Sequence, residues 1–88
     1  MTNLRPLNKI ETEILMRKNQ RLGKDIDVAF VEYTQLFPRS ILCTIIVPGP
    51  SEYKGVSMRS KNEPNIPTIG EHVSFTRAIN QAAGVRGY

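Results

Sequence analysis

Apolar positions recur at helical spacing near the start of the chain. Leu7, Ile10, Ile14 and Leu15 fall on one stripe, while Lys9, Glu13, Arg17 and Lys18 lie mostly on other faces. The pattern predicts a helix over Leu7–Leu22. Pro6 fits its first turn, where a missing N–H is harmless. Asn8 with Glu11 three residues on gives a capping box instead, and would start the helix two residues later. Gly23 supplies the C-terminal cap.

The period then changes. Val28–Tyr33 is β-branched and aromatic and reads as a strand. Thr34–Ser40, with Pro38 inside, reads as a turn or short loop. Ile41–Val47, sequence ILCTIIV, is the clearest strand; its weak alternation implies cover on both faces. Pro48, Gly49 and Pro50 end it, because proline cannot donate to a ladder. Tyr53–Arg59 returns as a third strand, where Gly55 marks a bulge or a close backbone approach. Ser60–Thr68 is a polar, proline-broken loop. A second helix follows over Ile69–Ala83, with Thr68 as N-cap, His72, Phe75, Ile79 and Ala83 on its apolar face, and Ile69 and Val73 at the margin.

The expected class is α+β: a helix, three antiparallel strands and a helix, with both helices on one face of a small sheet. The 88 residues allow one domain, spanning 1–88, and such a small core gains from burial against copies of itself. Homo-oligomers are therefore expected.

Charge narrows the partners. A formal net charge of +4 favours nucleotides, nucleic acids and other anions, although a soluble protein can simply be basic. The single cysteine, Cys43, excludes an internal disulfide and lies in an apolar run, as an inert buried thiol does. No segment has signal-peptide or bilayer-spanning character, so no membrane partner is expected and the cytoplasm is the expected location.

The chemistry points to binding. A lone histidine, His72, makes no metal pair and falls on the apolar helix face. Glu11 and Glu13 point to different helix faces, and Asp25 and Asp27 read as solvated turn residues, so no acid–base pair assembles. Neither an enzyme nor a cofactor is expected. By contrast, strand, loop and second helix bring Arg59, Ser60 and Arg77 together, with Asn62 and Asn65 nearby: two guanidinium forks, a hydroxyl and amides, a grip for phosphate and ribose. Arg77 equally admits a structural role, pairing with Glu52, Glu63 or another carboxylate to lock helix to sheet. Tyr53, Tyr33 and Phe37 are residues of the kind that stack on a base, and of the kind that pack a sheet. Arg17, Lys18, Arg21 and Lys24 form a basic stretch that meets a phosphate backbone or merely water, so nucleic acid stays open as a partner.

Two resemblances follow. The element order resembles the double-stranded-RNA-binding fold. Where that family carries lysines at the start of its last helix, this chain reads Ile69-Gly70-Glu71-His72, which argues against duplex RNA. A closer match covers Lys54–Ile79, KGVSMRSKNEPNIPTIGEHVSFTRAI, in which Gly55, Gly70, Arg77 and Ala78 fit a strand–loop–helix signature of small phage and bacterial proteins. The stretch resembles the Thoeris anti-defence sponge family of phage proteins. That resemblance implies oligomers that sequester cyclic ADP-ribose-type signals and so keep an immune effector inactive. It implies that Ser60 and Arg77 touch ligand phosphate and ribose, with Gln81 where some members carry a further basic residue. The binding set expected is therefore Tyr53, Arg59, Ser60, Asn62, Arg77 and Gln81, with a nucleotide-type small molecule as partner.

Overall fold

The computed structural model describes residues 3–37, 40–58 and 67–84. The order is helix, three strands, helix, the α+β arrangement expected. The first helix, α1, spans Lys9–Leu22. It starts two residues after Leu7 because the capping box forms. Asn8 Oδ1 accepts from the Glu11 N–H at 2.8 Å, and Glu11 Oε1 accepts from the Asn8 N–H at 2.9 Å. Pro6 therefore precedes the helix. Gly23 ends α1 at φ +64°, a left-handed conformation in which any side chain would be strained. Asn19 then holds the outgoing chain from both sides: its Nδ2 donates to the Ile26 carbonyl at 2.8 Å and its Oδ1 accepts from the Ile26 N–H at 2.9 Å.

Strands β1 (Phe30–Phe37), β2 (Ser40–Val47) and β3 (Ser51–Met58) form one antiparallel sheet with β2 in the centre. β1 starts after Val28 and runs through Thr34–Phe37, where a loop was expected. Pairing of Thr34 with Leu42 and of Gln35 with Ile41 holds these polar residues extended; ladder partners, not local propensity, decide it. On the outer edge of β1, Arg5 and Val31 exchange backbone hydrogen bonds at 3.0 and 2.8 Å. The second helix, α2, spans Pro67–Ala82. Thr68 sits in its first turn and not at the cap expected for it.

α2 lies across β2 and β3, and α1 packs against α2. Odd-numbered strand positions face the helices: Val31, Cys43 and Ile45 are fully buried with Phe75, Ala78 and Ile79 of α2, and Leu15 of α1 joins them. The buried stripe of α2 thus runs through Ser74, Phe75, Ala78 and Ile79. His72 is only half-buried and Ile69 is exposed. Gly55 lets α2 approach β3 backbone to backbone, because a Cβ there would overlap Ser74 O and the Ala78 nitrogen. Burial pushes the Cys43 thiol up to about 12.

One expectation fails. The apolar run of β2 implied cover on both faces, yet both helices lie on one. Leu42, Thr44 and Ile46 face away from them, shielded among the described residues by the flanking strands alone.

Candidate functional site

Two polar clusters stand out, each built on an arginine. The first joins α1, β1 and the chain before α1. Glu11 is buried at 2% exposure. Arg5 grips it with both arms, Nη1 to Oε1 at 2.7 Å and Nη2 to Oε2 at 3.0 Å. The Tyr33 hydroxyl donates to Oε2 at 2.6 Å, and the Asn8 N–H completes the set. Burial alone would raise the Glu11 carboxyl. The hydrogen bonds from Arg5, Tyr33 and Asn8 outweigh it and hold the group below the usual carboxylate range. Burial and the bond to Glu11 push the Tyr33 phenol well above its ordinary value. The Arg5 guanidinium is raised, first by its bond to Glu11. Every acceptor here is engaged, so the cluster is a lock and offers nothing to a ligand.

The second cluster lies on α2 and the outer edge of β3. An edge strand leaves alternate backbone groups unpaired. Arg77 Nη1 donates to the Val56 carbonyl at 2.7 Å, and Gln81 Oε1 accepts from the Lys54 N–H at 2.5 Å. Two side chains one helical turn apart therefore occupy two alternate edge groups of β3. Arg77 lacks a carboxylate partner among the described residues. Glu52 pairs instead with Lys54 at 3.4 Å, and Glu63 lies outside the described residues.

Beside Arg77 an open groove of about 290 Å³ runs along α2, lined by His72, Val73, Thr76, Arg77 and Asn80. Asn80 is about nine-tenths buried, and its Oδ1 has no hydrogen-bond partner among the described residues. The Thr76 hydroxyl donates to the His72 carbonyl at 2.9 Å and keeps acceptor capacity. A guanidinium has five N–H groups, so Arg77 retains donors beyond the Val56 bond. The groove thus places the Arg77 donor fork on the same wall as Asn80, whose Oδ1 lies closed off beneath that wall without a donor among the described residues. A phosphate with a neighbouring hydroxyl or amide N–H satisfies both once the Asn80 amide turns outward.

Of the residues expected to bind, Arg77 and Gln81 come together on the β3 edge, and Arg77 also lines the groove. Tyr53 does not line it. It packs half-buried at the margin of the core, paired across the sheet with Ile45. Arg59, Ser60 and Asn62, with Asn65, lie outside the described residues. Tyr33, a stacking candidate, is committed to Glu11. Sequence reasoning missed Asn80. The available signal was a polar residue three positions after Arg77 and eight after His72, hence on the same helical stripe. It also missed Glu11 as a hub, since nothing local announces a partner on a strand 22 residues away.

No protein-family model, curated protein or solved structure matches the chain. No helix among the described residues is long and apolar enough to cross a membrane.

Proposed function

We propose that the protein binds a nucleotide-type anion in the α2 groove and sequesters it without chemical turnover. The observation that carries the reading is Arg77, a guanidinium that no described carboxylate neutralises, on the wall of a groove that it shares with Asn80, whose buried Oδ1 has no donor among the described residues. An orphan acceptor of this kind costs about 1–3 kcal/mol, which a ligand donor recovers on binding. The remaining N–H groups of Arg77 take a phosphate, the buried Asn80 amide turns outward to accept from a ribose O–H or base N–H, and Val73 and His72 form the walls. A space of about 290 Å³ is at the small end of ligand sites and suits one nucleotide unit. The resemblance of Lys54–Ile79 to anti-defence sponges supplies the ligand class: a cyclic ADP-ribose isomer or cyclic oligonucleotide, held away from a host immune effector by a phage-type protein. Titration calorimetry against these compounds tests it, with heat expected from at least one and reduced heat in Arg77→Ala. A folded sample giving no heat with any of them ends the reading.

A nucleic-acid contact through α1 is the second reading. It is favoured by the exposed Arg17, Arg21 and Lys24, none of them ion-paired among the described residues. It requires a band shift that weakens steeply with salt.

A further inference from the structure

We infer that the sheet face turned away from the helices is a homodimer interface, with the β2 strands of two copies stacked on one another. The face carries Phe30, Leu42, Ile46, Val56 and Met58, and Phe30, Val56 and Met58 are 43%, 38% and 76% exposed. A strand apolar on both faces belongs in the middle of a two-sided core, and the helices fill only one side. Each edge is already occupied in part. Arg5 pairs with Val31 outside β1, and Arg77 and Gln81 take up backbone groups outside β3. These contacts interrupt both edges, and the continuous apolar surface left to a further copy is the face.

Charge selects a second copy of this chain and the way it sits. The register places Glu32, Thr44 and Lys54 in one row straight across the face. A twofold axis along β2, between the two sheets, lays β1 of one copy over β3 of the other. Each Glu32 then meets the partner's Lys54, twice by symmetry, next to the Glu52 that Lys54 also pairs with at 3.4 Å, while Thr44, Leu42 and Ile46 stack on their own copies. An axis across the strands through this row instead sets Glu32 on Glu32 and Lys54 on Lys54, and like charges disfavour that arrangement. Three strands of eight residues present a small face. Pairing two of them buries roughly 1,000 Å² in total, the lower limit for a specific contact, so the dimer forms in the micromolar range or weaker. The α2 grooves then lie on the outer sides of the dimer, away from the contact.

Analytical ultracentrifugation of the full chain from about 10 µM to about 1 mM is expected to show a monomer passing to a dimer. Ile46→Glu abolishes the dimer with the circular dichroism spectrum retained. Should that variant unfold, the surface charges carry the test. Glu32→Lys and Lys54→Glu each weaken association by about tenfold or more, and the double swap restores it. A wild-type chain that stays monomeric at about 1 mM overturns the inference, as does a folded Ile46→Glu dimer or a double swap that restores nothing.

Discussion

Arg5 and Arg77 each fasten a helical segment to a strand, and they do so in opposite ways. Arg5 spends both arms on a buried carboxylate that also receives the Tyr33 hydroxyl and a backbone N–H. Arg77 spends one N–H on the Val56 carbonyl, a neutral acceptor, and shares its groove with Asn80, whose amide oxygen has no donor among the described residues. A carboxylate cancels the guanidinium charge and leaves a closed structural joint. A backbone carbonyl fixes the arm while leaving the charge and most donors for something else. The count of used and unused acceptors, more than the residue type, separates the strut from the candidate site.

That contrast can be broken from either end. The largest effect is expected at the closed joint. Glu11→Ala removes the shared acceptor of Arg5, Tyr33 and the Asn8 N–H and costs about 2–4 kcal/mol in urea unfolding, below the full cost of a broken buried pair because Arg5 keeps some water. A loss under about 1 kcal/mol would make the joint ornamental. Next comes Gly55→Ala, whose methyl group meets α2 backbone and forces the helix off the β3 edge. A cost of about 2–3 kcal/mol is expected, together with loss of the groove geometry. An unchanged melting temperature would show that α2 does not pack there.

Acid separates the two arginines by charge. The Glu11 carboxyl is held below its ordinary 4.5, so its contribution is fully present above about pH 4.5 and drains away as pH falls through the lowered value. Denaturant midpoints measured from pH 6 to pH 3 should fall over that window in the wild type and less in Glu11→Gln. Equal acid sensitivity in both would assign the loss to other carboxylates.

At the open site the effects move from stability to binding. Arg77→Ala should remain folded, losing about 1 kcal/mol of stability, while ligand affinity measured by calorimetry drops by about 1.5–3 kcal/mol. Unfolding of this variant would make Arg77 a second strut and erase the contrast. Asn80→Leu is expected to change stability least, within about 1 kcal/mol, since it removes an acceptor that has no partner, and yet to weaken binding. A large loss of stability would mean that the amide has a structural partner after all.

The periodicities carried the architecture. A 3.6-residue stripe, three apolar runs broken by Pro and Gly, and a second stripe are enough to order helix, sheet and helix, and the capping box of Asn8 and Glu11 was readable as an alternative start. So was the double reading of Gly55, of which the close approach is realised. The ends of β1 were not readable, because Thr34 and Gln35 are held by partners on β2. Both sides of β2 were read as covered because an apolar pattern records what a strand prefers, not how many layers one chain supplies. At the candidate site, Arg77 was visible as a charge on a helix margin, but Val56 O, Asn80 and the groove were not.

By itself the sequence determined the elements, their order and where the apolar surface lies, since those follow from interactions within a few residues. It took the packed fold to settle which arginine is neutralised, which edge groups are occupied and which amide lacks a donor among the described residues. The contacts of Arg77 with Val56 and of Tyr33 with Glu11 join atoms 21 and 22 positions apart, and Arg5 reaches Glu11, six positions on, only because both are held against β1; no local pattern encodes such meetings.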